Sequence, residues 1–463
     1  MRIHFIGIGG IGVSALAKYY LKKGWQVSGS DLVASEITQQ MKKLGATIHI
    51  GKPKESLVKN NTAKIVFSPA VQKNHVERAA ARKKGIPELS YPEALGELTR
   101  NHYTIAVSGT HGKSTTTAML GLLLVKAGLD PTVIVGTKVK EFGNSTHSTS
   151  SGLTLSNVEG SNCRVGKSKY LVIEADEYAK SFLHYTPRIM VLTTLEKDHL
   201  ETYGSLKNIL STFKKYLFAL PKDAITIANS DDKNIQQILR SLPNKKGYSL
   251  SQKDANKLRK VLKVPGEHNV ANALAALAVA RYLNIPDQKS YKALKEYRGS
   301  WRRFEIFHLK NPVPYTLVSD YGHHPTEVRV TLKAAREKWP KKKIWLVFQP
   351  HQYKRTYYLF KEFVAVLSRL PIEKLILTSI YYVAGREDPG IKQKVSAQKL
   401  THALLNTKHC LPNITYIPSF KKVEKYLQEN LKGGEVVVVM GAGDIYQNLT
   451  LRLTLHLSQK VKG

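Results

Sequence analysis

The chain has 463 residues, too many for one ordinary core and enough for roughly three domains at about 150 residues each. Hydrophobic residues make up 42% and charged residues 23%, and no run approaches the roughly 18–20 apolar residues of a membrane helix, which excludes a disordered chain and a helical membrane protein. The formal net charge is +36, from 71 Lys and Arg against 35 Asp and Glu, but the basic residues are spread in short pairs such as Lys22-Lys23, Lys83-Lys84 and Lys214-Lys215. That spread predicts a solvated basic surface, with no specific nucleic-acid partner and no membrane insertion.

The first residues run straight into a strand pattern, Ile3 to Ile6, without the apolar stretch and cleavage site of a signal peptide. Only Cys163 and Cys410 are present, too few for a disulfide framework or a four-cysteine zinc site, and both observations predict a cytoplasmic chain. Directly after the strand comes Gly7-Ile-Gly9-Gly10-Ile-Gly12, with Asp31 closing the next strand. In that context the glycines let a pyrophosphate approach the backbone at a helix start, and the carboxylate meets a ribose hydroxyl. Taken alone the pattern reads first as NAD binding, but it specifies only a nucleotide diphosphate, and a UDP-sugar carries the same pyrophosphate and ribose.

Further strands are predicted at Lys64–Phe67, Thr104–Val107, Tyr170–Ile173, Ile189–Leu192, Ile344–Phe348 and Val436–Met440, alternating with amphipathic stretches, which argues an α/β chain with mainly parallel sheets. After the strand at Thr104 stands Gly109-Thr110-His111-Gly112-Lys113-Ser114-Thr115. Inward amides, a lysine and a hydroxyl at a helix start are what a triphosphate and magnesium need. The spacing is not that of the generic P-loop, since Val107 stands where its first glycine would be.

Glu174-Ala-Asp176-Glu177 ends one apolar strand and Asp198-His199 follows another, so both clusters are expected at the carboxyl edge of a sheet. Glu174, at the strand end, is the better metal ligand; Asp176 and Glu177 read equally well as a solvated turn, and His199 as ligand or structural histidine. A helix is predicted from the stripe Leu206, Ile209, Leu210, Phe213 and Leu217. The polar run from Asn144 to Gly152 reads as a surface loop, and Tyr297 to Trp301 as an interruption of an Ala-rich helix.

Taken with Gly266-Glu-His-Asn-Val-Ala-Asn-Ala273, Trp301-Arg-Arg-Phe-Glu305, Asp320-Tyr-Gly-His-His-Pro-Thr-Glu327, Phe348-Gln-Pro-His-Gln-Tyr-Lys-Arg-Thr356 and Gly441-Ala-Gly-Asp-Ile445, the motifs stand in the order found in the Mur ligases. The chain resembles that family over nearly its whole length, and most of all its alanine-adding member. The resemblance implies three domains: a Rossmann-like UDP-sugar domain at 1–98, a central P-loop ATPase-type domain at 99–297, and a C-terminal Rossmann-like amino-acid domain at 298–463. It implies that ATP and Mg2+ (or Mn2+) serve to join L-alanine to the lactyl carboxylate of UDP-N-acetylmuramate through an acyl phosphate.

By residue, the resemblance places the ATP phosphates on Gly109, Thr110, His111, Gly112, Lys113, Ser114 and Thr115. Asn269 and Asn272 would meet the nucleotide, and Arg303 and Asp320 would complete its site. Metal ligation would fall to Ser114, Glu174 and His199. Sugar-nucleotide binding would use Gly7, Gly9, Gly10, Gly12, Asp31, Ser68, Asn162 and Arg164; the amino acid would meet Tyr321, His323, His351 and Arg355. A monomer or weak homodimer is expected. The chain departs from the family pattern at Tyr178 and Ala179, at Thr194, where Asn is usual, and at Gln352, where Arg is usual. The competing readings are a murein-tripeptide ligase of wall recycling and, from another class, an NAD-dependent oxidoreductase, which leaves the second phosphate loop without a task.

Overall fold

The computed structural model describes residues 1–143, 160–383, 387–388, 390–408 and 413–455. The polar run from Asn144 to Gly152, expected as a surface loop, lies outside the described residues, as does Cys410. The chain divides into two compact units: Met1–Lys197, Leu206–Leu262 and Ala271–Arg298 form one, while Asp198–Ser205, Lys263–Val270 and the chain from Gly299 onward form the other.

The first unit holds two sheets. In the first, five parallel strands lie in the order Thr47–Ile50, Gln26–Asp31, Arg2–Ile6, Thr62–Phe67, Glu88–Ser90. Apolar Ile3, Phe5, Ile65 and Val66 are fully buried, as strands covered by crossover helices must be. The second sheet orders seven strands as Lys245–Tyr248, Ile225–Asn229, Ile189–Leu192, Tyr103–Ser108, Tyr170–Glu174, Thr132–Val139 and Ser161–Arg164, with only the last pair antiparallel. Buried polar bonds join the two layers: Lys18 Nζ donates to Asn162 Oδ1 at 2.8 Å, and Asn162 Nδ2 donates to Ser14 Oγ at 2.9 Å.

The second unit carries the third sheet, ordered Glu305–Leu309, Tyr315–Asp320, Val436–Met440, Ile344–Phe348, Lys374–Leu377 and Ile414–Tyr416, antiparallel only at its first pair. Alternate residues feed two cores. Val318, Leu346, Phe348, Val436 and Val438 pack on one side, and Leu317, Trp345, Val347, Val437 and Val439 on the other. This explains why these strands read as continuous apolar runs.

The helix expected from the leucine stripe forms as Leu206–Phe218, burying Ile209, Phe213 and Leu217, and Tyr216 joins them by donating its hydroxyl to the Tyr185 carbonyl. The Ala-rich helix corrects the sequence reading. It spans Glu267–Tyr282 and ends there, with Asn284 in the left-handed region, and a separate helix Asp287–Glu296 precedes the 297–301 break. No described helix is long and apolar enough to cross a membrane.

Candidate active site

At the carboxyl edge of the first sheet, a cavity of about 510 Å³ is lined by Gly7, Gly10, Asp31 and Ser68, among others. The loop's shape follows from its residues. Gly7 has φ +76, and a Cβ there would stand 3.0 Å from Ser68 Cβ. The Gly9 amide donates to Asp31 Oδ2 at 2.8 Å, so the carboxylate braces the loop as well as lining the cavity. Gly12 answers to packing, because a Cβ would meet the Tyr91 ring at 2.8 Å. Two expected sugar-nucleotide residues are engaged elsewhere: Asn162 bonds the helix Ile11–Lys22 as above, and Arg164 donates to Asp130 and to the Pro131 carbonyl. Neither lines the cavity.

The second phosphate loop leaves strand Tyr103–Ser108 and enters helix Lys113–Lys126. Gly109 has φ +129 and Gly112 φ +82, and added Cβ atoms would lie 2.3 Å from Thr193 Oγ1 and 2.4 Å from Asn272 Oδ1. Thr194 clamps the loop: its carbonyl accepts from Thr110 N at 2.7 Å and its hydroxyl from His111 N at 2.9 Å. The family departure at this position thus still supplies a hydrogen-bond acceptor. His111 Nε2 stands 3.6 Å from Glu196 Oε2, and Thr115 is buried in the helix's first turn.

Lys113 Nζ donates to the Gly109 carbonyl at 2.7 Å and lies 2.7 Å from Glu177 Oε2. Burial works against its charge, but Glu177, Asp176 and Glu174 outweigh it and hold the ammonium above the ordinary lysine range. Glu177 is 4% exposed, which overturns its reading as a solvated turn; Asp176 is the exposed member. Sequence spacing gave no hint of this pairing. Ser114 Oγ donates to Glu174 Oε1 at 2.9 Å, and Gly136 N to Glu174 Oε2 at 2.7 Å. A Cβ at Gly136 would fall 2.8 Å from that oxygen, so the strand leaves room for the carboxylate. A hydroxyl beside a carboxylate is a hard-oxygen pair that suits magnesium or manganese.

Asn272 accepts from Thr116 Oγ1 beside Gly112. Asn269 falls in the second unit, where its Nδ2 donates to the Pro265 carbonyl at 2.6 Å. His199 also belongs there, at φ +50, with Nδ1 3.3 Å from Glu201 Oε1.

The remaining expected residues gather in the second unit. Arg355 Nε donates to Asp198 Oδ1 at 3.0 Å, and its Nη1 lies 3.2 Å from His351 Nδ1. Burial would raise the Asp198 pKa, but Arg355 and then His199, His324 and His323 hold it well below the usual carboxylate range. His323 packs 5.4 Å from the His351 ring; burial, then the Arg355 charge, push its pKa down to about 3, so it is neutral at neutral pH. Tyr321 lies edge-on to His323 and under the Arg303 guanidinium. Arg303 itself stands 3.7 Å from Glu327.

Asp320 accepts from Phe304 N at 2.9 Å and Gly322 N at 2.7 Å, and burial raises it to about 6. Its two amide bonds show a structural task that the sequence did not signal. Arg302, not singled out from sequence, is 5% exposed and lies between the Tyr321 and Tyr446 rings. Gln352 is buried at φ +70, where it accepts through its carbonyl from Thr356 N and Oγ1.

Family models for the Mur ligase catalytic domain, the Mur ligase middle domain and the Mur ligase glutamate ligase domain match residues 2–103, 107–280 and 302–443. UDP-N-acetylmuramate–L-alanine ligases of Trichlorobacter lovleyi and Clostridium tetani are 37% and 38% identical to the chain. The first alignment covers 96% of this chain and 97% of the relative, the second 96% of each. The crystal structure of the Thermotoga maritima UDP-N-acetylmuramate–alanine ligase superposes with a TM-score of 0.76 at 26% identity, covering 99% of this chain and 100% of that one. A murein peptide ligase from Psychrobacter arcticus shares the fold, with a TM-score of 0.70 at 23% identity over 99% of both chains. With three family models in chain order and relatives aligned along nearly its whole length, the chain belongs to the Mur ligase family and is an ATP-dependent ligase that forms amide bonds.

Proposed function

We propose that this ligase joins L-alanine to the lactyl carboxylate of UDP-N-acetylmuramate, yielding UDP-N-acetylmuramoyl-L-alanine, ADP and phosphate, as a cytoplasmic step of peptidoglycan biosynthesis. The observation that carries this reading is the 37–38% identity, along nearly the whole chain, to relatives named for that reaction. Two separate nucleotide loops in one unit support it, since the reaction needs a sugar nucleotide and ATP together. On this reading residues 1–98 serve the sugar nucleotide, 99–297 ATP and 298–463 the amino acid.

A carboxylate is a poor acyl donor and must be activated. The lactyl carboxylate oxygen takes the γ-phosphoryl group, the bond to the β–γ bridging oxygen breaks, and ADP leaves. The neutral amine then attacks the acyl carbon, the acyl C–O bond to phosphate breaks, and the proton lost from nitrogen passes to the departing phosphate or to solvent. Amides of the Gly109–Ser114 loop receive the phosphates, and Lys113, held by Glu177, stabilises the transferring oxygens. Ser114 and Glu174 are a pair in this unit that fits magnesium or manganese, which would offset phosphate charge when bound. Tyr321, His323, His351 and Arg355 form the candidate amino-acid side; a neutral His323 there adds no charge to compete with Arg355 for a carboxylate.

The route is tested with UDP-N-acetylmuramate carrying oxygen-18 in the lactyl carboxylate. One labelled oxygen is expected in the released phosphate. Unlabelled phosphate accompanying amide formation would rule out the acyl phosphate.

A further inference from the structure

The crossover from strand Thr47–Ile50 to strand Thr62–Phe67 contains only a short 3-10 turn, Glu55–Leu57, where a helix usually covers a parallel sheet. At the amino-terminal edge of the first sheet, opposite the sugar-nucleotide loop, this leaves a cavity of about 570 Å³, comparable in size to the nucleotide cavity. Arg2, His4, Gln26, Ser28, His49 and Lys59 line it. His4 and Ser28 are register partners, as are Ser28 and Thr47, so a row of polar side chains crosses one face while Ile3, Phe5 and Val27 fill the core of the other.

Three features define what this cavity suits. Arg2 and Lys59 bring positive charge to it, and no carboxylate among the described residues lines it. Arg2 Nη2 donates to Gln26 Oε1 at 3.2 Å, while Arg2 Nε is buried with no hydrogen-bond partner. An unsatisfied buried donor on a guanidinium is costly and is relieved by an oxyanion. The cavity is also separate from the sugar-nucleotide site. His4 Nε2 lies 2.7 Å from Glu77 Oε2, which also takes the Ser30 hydroxyl at 2.8 Å. Glu77 and Ser30 line the nucleotide cavity, and His4 and Ser28 line this one, so the buried pair stands between them. Exposed Lys22 and Lys23, at the end of the helix Ile11–Lys22, and Lys42 and Lys43, at the end of a helix Glu36–Lys43, precede the strands at this edge and raise the local concentration of anions.

We propose that this second cavity is a binding site for a small phosphate-bearing anion of up to nucleotide size, held by Arg2 and Lys59. Arginine's planar fork meets two phosphate oxygens at once, and lysine adds a mobile point charge.

The test uses the full chain already saturated with UDP-N-acetylmuramate and a non-hydrolysable ATP analogue, each loading verified by its own titration, so that failure to load is distinguished from failure of the second cavity. UMP and inorganic pyrophosphate are then titrated separately by calorimetry. At least one probe is expected to bind at one additional site. UMP binding identifies a phosphate ester, and pyrophosphate alone an inorganic polyphosphate. Lys59→Glu, at an exposed position that leaves folding unaffected, and Arg2→Gln should each weaken that binding by about tenfold or more while the ligation rate without probe is unchanged. No binding of either probe to the loaded protein, or binding that Lys59→Glu leaves within about twofold, overturns the proposal.

Discussion

Replacing Gly112 by alanine sets two structural costs against ATP binding. Gly112 has φ +82 and ψ −6, a left-handed conformation that costs an alanine about 1–2 kcal/mol. Its Cβ would stand 2.4 Å from Asn272 Oδ1, far inside contact distance, and Asn272 cannot retreat without breaking the bond its oxygen accepts from Thr116 Oγ1 at 3.1 Å. Losing that buried bond costs about 1 kcal/mol more. If the free loop relaxes to escape the strain, the whole sum is charged to nucleotide binding, and about 2–3 kcal/mol weakens ATP by about 30- to 150-fold. If the loop stays rigid, the same sum appears as lost stability, so equilibrium binding and denaturation are measured together. Gly112→Ala with Asn272→Ala removes the collision and should recover affinity relative to Gly112→Ala alone. ATP binding and stability both within about twofold of wild type in Gly112→Ala, or a double variant no better than the single, would refute the reasoning.

Lys113→Ala removes a preorganised cation from the phosphoryl transition state and should lower the ligation rate by about 3 kcal/mol, roughly 150-fold, with UDP-N-acetylmuramate affinity unchanged; retention of more than about a tenth of the rate contradicts this. Glu177→Gln strips a buried partner from Lys113 and should destabilise the free protein by up to about 3 kcal/mol in urea unfolding, less with ATP present because phosphate replaces the lost charge. Equal losses with and without ATP would show that the two anions do not share one lysine. Asp320→Asn turns an amide N–H₂ toward the N–H of Phe304 or Gly322 and should cost about 1–3 kcal/mol, read by denaturation near pH 4. Because burial holds Asp320 at about 6, above the unfolded value of about 3.9, its contribution is fully present below about pH 4 and is lost as the pH rises through 6. The gap in stability between wild type and Asp320→Asn should therefore narrow over that interval; a constant gap contradicts the raised pKa.

The parts of this fold legible in the sequence are those in which chemistry and chain run together. Gly109 to Ser114 is one unbroken strand–loop–helix passage, and its glycines are required by contacts that any such passage meets. Runs such as Ile344–Phe348 and Val436–Met440 declare buried parallel strands because both faces need apolar residues. What the sequence hid are contacts between distant segments. Glu177 reaches back to Lys113 and Thr194 to the amides of Thr110 and His111; neither carries a local signal beyond its place just after a strand. Asn162 and Arg164, which the family resemblance assigns to the sugar nucleotide, have partners here that no local pattern announces: Asn162 meets Ser14 and Lys18, and Arg164 meets Asp130. The Ala-rich pattern runs on towards 297 in the sequence because Asp287–Glu296 is itself a good helix-former; the Asn284-Ile-Pro286 step, an asparagine in the left-handed region followed by a proline, is the stop signal that separates the two helices. Part of the +36 charge also has a local cause: Lys22, Lys42, Lys43, Arg82 and Lys83 stand in the last turns of helices, where they oppose the helix dipole.

The choice of amino acid is decided by incubating the purified protein with ATP, magnesium, UDP-N-acetylmuramate, equal amounts of L-alanine, glycine and L-serine, and the L-alanyl-γ-D-glutamyl-meso-diaminopimelate tripeptide, and identifying the product by mass. UDP-N-acetylmuramoyl-L-alanine is expected as the principal product, with one ADP released per amide formed. A principal product bearing glycine, serine or the tripeptide, or ATP turnover without any amide, would contradict the proposed reaction.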